Sequence, residues 1–282
     1  MKNINQIPYK LNKICVAVLG CVLLGTGSLF SFSAFSESKV GYVPIDDSNI
    51  EKIEVQGKAV SLIGEAISAS EGIIGQQEIL NRPMLRIGEI LELVPAMVVT
   101  QHSGTGKPNQ YFLRGFNLDH GTDFATSIDY MPINMRTHGH GQGYTDLNFI
   151  IPESIQAITI KKGAYYGKVG NFSGSGSGAF NTVDQRQTTQ LSATIGEDNF
   201  QRYLLAGGIA LNNEHINYAI EFNSYDGPWT DIEEDLNKAN VFLSYNSKVK
   251  NGDLKVTFIG YDNAWNSVDQ IPKRAVSAGI ID

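Results

Sequence analysis

Tyr111-Phe112-Leu113-Arg114-Gly115-Phe116 and, further on, Ile151-Pro152-Glu153-Ser154-Ile155-Gln156-Ala157-Ile158-Thr159-Ile160-Lys161-Lys162-Gly163 are the stretches on which the fold turns. In each, aromatic or β-branched residues run up to a glycine, the mark of a short strand closed by a tight turn. Strands are predicted at Gln110–Leu113, Ala125–Asp129 and Ala157–Ile160, with Gly, Pro and Asn turns between them. Upstream, Ile87, Ile90, Leu91 and Val94 fall at i, i+3, i+4 and i+7. That spacing predicts a helix with one apolar face over 87–94, stopped by Pro95. Glu51-Lys52-Ile53-Glu54-Val55 alternates charged and β-branched residues and reads as a short strand before Gly57. Short helices mixed with short strands imply a small α+β domain.

From about residue 188 the pattern changes to strict alternation. Leu191, Ala193 and Ile195 alternate with polar residues, as do Tyr203, Leu205, Gly207 and Ile209. So do Ile216, Tyr218, Ile220 and Phe222, then Val241, Leu243 and Tyr245, then Leu254, Val256 and Phe258. Asn/Gly/Asp turns such as Lys250-Asn251-Gly252-Asp253 separate the segments. Each segment presents one apolar and one largely polar face. Segments of about ten residues with this period mark transmembrane β-strands. A soluble antiparallel sheet with one wet face gives the same period.

Composition bears on that choice. Charged residues make up only 18%, with 29 Gly and 12 Tyr, where soluble domains carry about 25% charge. Residues 1–36 contain no Asp or Glu; Lys2, Lys10 and Lys13 precede an apolar run from Ile14 to Phe30, and Ala34-Phe35-Ser36 offers a cleavage site. This is the layout of a secretory signal peptide, favoured over a retained N-terminal anchor. Cys15 and Cys21 both lie in that leader, so the mature chain is expected to have no disulfide and no Cys-based metal site. Removing the three leader lysines lowers the net charge from −7 to −10. An acidic chain without a basic cluster excludes nucleic acid as the expected partner. After Ser36 no stretch has the roughly 20 apolar residues of a membrane helix, so a spanning form must be a β-barrel.

Taken in order, the motifs of the middle region resemble the plug of TonB-dependent outer-membrane receptors. Arg82-Pro83, the proline-stopped helix, Val98-Val99-Thr100 and Arg114-Gly115-Phe116 match the family's opening. Ser127-Ile128-Asp129-Tyr130-Met131-Pro132-Ile133 resembles its aspartate-glycine-x-proline turn, with Tyr130 where Gly is usual. Residues 151–163 resemble its segment ending in a Lys/Arg-Gly pair, with Ala164 in place of a common Pro. Tyr166-Gly167 and the Gly-rich stretch to Asn181 resemble the exit from plug to barrel, read as a packed turn rather than a flexible linker.

The resemblance implies the following organisation: signal peptide 1–36, N-terminal arm 37–57, plug 58–185, and the first antiparallel strands of a transmembrane barrel over 186–282. It implies structural roles for Arg114, Gly115, Asp129, Pro132, Gly163 and Gly167, with Arg114 either locking plug to wall or holding its own turn. Ile50, Glu51, Lys52, Ile53, Glu54 and Val55 are similar to the box that hands a strand to the periplasmic partner TonB. The implied function is active uptake, in the cell outer membrane, of a metal chelate or metal ion. No cofactor is expected, and nothing in the spacing of Ser, His and Asp marks a catalytic triad, so an enzyme is not expected.

His102, His120, His138 and His140 cluster within one region, with Met131 and Met135 nearby. Imidazole and thioether ligate Cu, Ni or Zn, and the His138-Gly139-His140 pair could converge on one ion; the alternative is hydrogen bonding to loop backbone. Plugged outer-membrane transporters use 22 strands, so five strands predict a truncated or split reading frame. A secreted periplasmic plug-like binding module and a non-functional gene remnant are the rival readings.

Overall fold

The computed structural model describes residues 64–101, 103–228, 232–268 and 271–281. The predicted signal peptide, the arm with Ile50–Val55, and His102 lie outside the described residues.

In chain order the plug part comprises β1 (Glu65–Ser68), β2 (Glu71–Gly75), helix α1 (Gln76–Asn81), a 3₁₀ helix (Ile87–Leu93), β3 (Met97–Thr100), β4 (Gln110–Leu113), β5 (Phe116–Asn117), β6 (Phe124–Ile128), β7 (Met131–Pro132), a 3₁₀ turn (Pro152–Ser154), β8 (Ile155–Lys162) and β9 (Gly176–Thr182). Six of these strands form one mixed sheet in the order β1-β2-β8-β9-β6-β7, and β3-β4-β5 form a smaller one. The core between them gathers Ile79, Ile90, Leu91, Val94, Tyr111, Leu118, Phe124, Ile155, Ile158 and Phe180.

The segment 87–94 buries the four residues its spacing selected, Ile87, Ile90, Leu91 and Val94, but as a 3₁₀ rather than an α-helix. Pro95 ends it, and the Val94 N–H closes onto the Leu91 carbonyl at 3.0 Å. A run this short forms few i→i−4 bonds to offset nucleation, so the tighter winding is accessible.

The glycine-rich exit also differs from expectation. Gly176–Thr182 is not a turn into the wall but an interior strand, antiparallel to β8 and parallel to β6. Gly176 has φ 149, and a Cβ there would stand 2.4 Å from the Lys161 carbonyl oxygen. Only glycine lets two backbones approach this closely. The β6–β7 hairpin has Asp129 at φ 44 and Tyr130 at φ 70, the two positive values of a type I′ turn. Tyr130 takes the usual glycine's conformation and is 97% exposed.

The second part is a meander of β10 (Gln190–Ile195), β11 (Gln201–Leu211), β12 (Glu214–Tyr225), β13 (Leu236–Val249) and β14 (Gly252–Ala264), each antiparallel to the next. All five alternating segments are strands. The short helix α2 (Lys273–Ser277) follows.

The polarity of this sheet is reversed relative to a soluble one. Its apolar face points away from the plug: Leu191 is 83% exposed, Ile195 77% and Phe258 60%, with Ile209, Leu243 and Val256 also exposed. The face against the plug carries Asn217, Glu221, Asn240 and Ser244, all buried. Leu204, Ala206, Ala219 and Phe242 add a small apolar patch there against Ile151 and Val183. A soluble sheet turns its apolar face inward, whereas an apolar outer band around a polar interior is the pattern of a membrane barrel. No helix among the described residues is long and apolar enough to cross a membrane, which says nothing about strands.

Candidate functional site

Two sets of residues carry chemistry: a polar seam between plug and wall, and a histidine cluster on the plug loops.

The seam is centred on Glu153. Pro152 opens its 3₁₀ turn, and the flanking Ile151 and Ile155 are buried, which aims the carboxylate at the wall. Arg202 on β11 donates to both its oxygens, at 2.9 and 2.7 Å, a two-pronged match of guanidinium to carboxylate. Arg202 Nε also donates to Glu221 of β12 at 2.6 Å. Lys238 of β13 lies 3.2 Å from the other Glu221 oxygen. Asn240 Nδ2 donates to that same oxygen at 3.2 Å and to the plug's Asn148 carbonyl at 2.9 Å.

Two further pins lie toward opposite ends of the wall. At one, Asp129 accepts from the Thr182 N–H at 2.9 Å and its hydroxyl at 2.5 Å, while Lys255 of β14 stands 3.5 Å from Asp129 and 2.9 Å from Asp184. At the other, Glu234 accepts from the Thr105 N–H at 2.8 Å and from its hydroxyl. Strand connections alternate in length along the meander: Asn212-Asn213 and Lys250-Asn251 are tight turns, whereas β12 ends at Tyr225 and β13 begins only at Leu236. Short turns face the periplasm and long loops the exterior in such walls, so the Glu234 end is the outer one.

The histidine cluster is tied to the outer half. His120 is 2% exposed, and its Nδ1 lies 3.0 Å from the Asn109 carbonyl. The Thr145 N–H donates to the His120 carbonyl at 2.8 Å. This crossing needs Gly121, at φ 117, where a Cβ would meet Thr145 Oγ1 at 2.5 Å. His140 brings its ring to 4.6 Å from that of His120, centre to centre. Asp119 Oδ1 is 3.8 Å from His120 Nε2. The ligand atoms of Asp119, His120 and His140 all lie within 4.8 Å of one another.

Beside them Tyr144 stacks on His138 at 3.8 Å, and burial with Asp146 and Asp119 nearby pushes its hydroxyl up to about 12. Burial likewise raises the Asp146 carboxyl, opposed by hydrogen bonds from Asn148, the charge of Lys238 and the Tyr261 hydroxyl.

His120 and His140 thus come together, but His138 does not join them. Its ring is stacked, and its Nδ1 accepts the His140 N–H at 3.1 Å, so it shapes the loop. Met135 pairs by backbone with Tyr144. Arg114 and Gly115, at φ 53 and 79, form the exposed β4–β5 turn. The Arg114 side chain is exposed, and Arg202 makes the arginine link across the seam. Pro132 sits on the edge strand β7, where a missing N–H breaks no ladder. Gly163, at φ 94, lies under the Tyr165 ring, whereas Gly167 faces open space. Asp129 holds the pin described above. Sequence reasoning missed Asp119, although it adjoins His120, and it missed Glu153, Arg202, Glu221 and Lys238.

Residues 63–177 match the family model described as the TonB-dependent Receptor Plug Domain. Among solved structures, the chain is similar to the siderophore receptor PirA from Acinetobacter baumannii, with TM-score 0.52 and 16% identity over 71% of this chain and 32% of that one. The copper transporter OprC gives TM-score 0.55 at 14% identity, over 72% of this chain and 32% of that one. The pyoverdine outer membrane receptor FpvA from Pseudomonas aeruginosa PAO1, bound to pyoverdine, gives 0.54 at 16%, over 68% and 27%. At these identities the likeness is one of fold, and the chain spans about a third of the length of these structures. The plug family consists of outer-membrane transporters rather than enzymes. The chain carries the plug domain of a TonB-dependent outer-membrane receptor, joined to the opening antiparallel strands of its barrel.

Proposed function

We propose that this chain supplies the plug and first wall strands of a receptor for active uptake of a metal chelate or metal ion. TonB would engage the arm at Ile50–Val55 by strand addition, in which main-chain hydrogen bonds supply the affinity. Tension on the arm would then draw the plug from the wall. The observation that carries this reading is the reversed polarity of the five-stranded sheet, apolar outside and polar toward the plug. A seam held by ion pairs and amides can exchange its partners for water, so it can open and re-form. Siderophore and copper receptors share the fold, which supports a metal-bearing substrate.

Fractionation tests the reading. The mature chain should sediment with outer membranes and resist extraction by urea or carbonate. Recovery as a soluble periplasmic monomer would overturn it.

A further inference from the structure

The Asp119–His120–His140 cluster goes further than a general preference for metal-bearing substrates. We propose that these three side chains directly bind a divalent first-row transition cation that arrives with open coordination positions. The inference deepens the uptake reading, on which its physiological role rests; the binding itself does not depend on transport.

Three features converge on it. First, the geometry is close to a ligand set. Metal bonds of about 2.0–2.2 Å in a tetrahedral arrangement place donor atoms about 3.4 Å apart. Here the donors already lie within 4.8 Å of one another, and the carboxylate and the His120 ring are 3.8 Å apart. His140 is exposed, so a modest turn of its side chain closes the remaining gap.

Second, His120 is prepared as a ligand. Its Nδ1 is directed at the Asn109 carbonyl at 3.0 Å. In the neutral ring this hydrogen bond places the proton on Nδ1 and the lone pair on Nε2, the nitrogen facing Asp119. A backbone carbonyl that fixes the far nitrogen is how metal-binding imidazoles are oriented. Burial of His120 and the Thr145–His120 backbone bond hold the ring there.

Third, the donor set selects the ion. Two imidazoles and one carboxylate suit Cu²⁺, Zn²⁺ or Ni²⁺ better than a hard oxygen-loving cation. Three protein ligands leave at least one position open. An incomplete shell suits a cargo that must be released, on the outer half of the plug where the cluster lies.

The cation can come as the aqua ion or inside a partial chelate, and the test separates the two. The full chain in detergent is titrated with Cu²⁺ alone, with Cu²⁺–nitrilotriacetate and with Cu²⁺–EDTA, by calorimetry and electron paramagnetic resonance. The expected result is one saturable Cu²⁺ per chain with hyperfine splitting from two nitrogens. The nitrilotriacetate complex, which keeps open positions, should bind; the EDTA complex should not. His140→Ala and Asp119→Asn should each weaken binding at least tenfold, as even outer-shell losses cost metal sites 10- to 100-fold. His215→Ala, on β12 and outside the cluster, should leave the spectrum unchanged.

No saturable binding, or binding unchanged in His140→Ala, would overturn the site while leaving the uptake reading intact. Cu²⁺ bound as described by a receptor that the fractionation test finds outside the membrane would overturn the uptake reading and leave the site.

Discussion

Arg202→Ala removes the hub of the plug–wall seam, and its cost can be worked from the geometry. Glu153 is 7% exposed and Glu221 2%, and Arg202 bridges them while Lys238 touches only Glu221. The four charges cancel in the parent; without Arg202, two buried carboxylates face one lysine. Breaking a buried ion pair by removing one partner costs about 3–5 kcal/mol, because the orphaned charge stays buried. The Arg202 side chain is 22% exposed, so water reaches part of the cluster and the lower end, about 3 kcal/mol, is expected. At about 1.4 kcal/mol per factor of ten, the plug should open more than 100-fold more often. The assay is maleimide labelling of a single cysteine at position 157, where Ala157 on β8 is 3% exposed, in a background lacking Cys15 and Cys21. Labelling along a urea series reports plug opening within the intact outer-membrane receptor. Glu221→Gln should cost less, since one amide oxygen still accepts from Arg202 and Arg202 keeps both of its bonds to Glu153. Arg202→Ala combined with Glu221→Gln should recover part of the loss, with a coupling of about 0.5–3 kcal/mol. A shift below about 1 kcal/mol for Arg202→Ala, the level of an exposed pair, would refute the view that this cluster is a buried pin.

Asn134 is buried and donates to the carbonyls of Gly121, Phe124 and Gly143, each at 3.0 Å, while accepting from the Thr126 N–H at 2.6 Å. Asn134→Ala should lower plug stability by about 2–4 kcal/mol, since it leaves several buried groups unsatisfied, read as lost amide exchange protection over residues 121–145. Gly176→Ala should destabilise by at least about 2 kcal/mol, because its Cβ meets backbone; Gly167→Ala, facing open space, should be nearly neutral in the same melt. Burial raises the folded-state pKa of Asp146 above its ordinary 3.8, so the folded plug holds that proton more tightly than the unfolded chain. Its contribution therefore destabilises above the raised value, and acidification from neutral pH removes that cost until both states are protonated. Asp146→Asn should flatten this part of the stability–pH profile and be the more stable form at neutral pH; an identical profile for both would rule the assignment out.

The strands of the wall were legible because a period of two is written directly in Ile216–Phe222 and Leu254–Phe258. The side each face points to was not, since alternation is the same for an inside-out sheet and an ordinary one. That decision lies in contacts such as Asn240 to Asn148, 92 residues apart in sequence. Strands β1 and β2 and helix α1 carried no signal strong enough to predict. Glu65–Ser68 and Glu71–Gly75 are short and mixed in character, and they form because β8 lies alongside β2. The Gly-rich stretch misled for a physical reason: glycine marks both turns and close backbone approach, and here the second applies. Within the histidine region the His138–His140 spacing was the visible motif. The pairing of His120 with His140 depends on the loop crossing at Gly121, which no local spacing records.

The inside-out sheet also governs how such a chain reaches its destination. Because polar and small residues interrupt each of β10–β14, no wall segment carries the long apolar run that would halt it in the inner membrane as a helix. The same strands, once folded, gather Leu191, Ile195, Val256 and Phe258 onto one continuous outer band. In water that band would seek other sheets, edge to edge and face to face. Secretion therefore depends on the strands staying unpaired through the aqueous compartment, and the lipid stripe comes into being only where a bilayer is present to receive it.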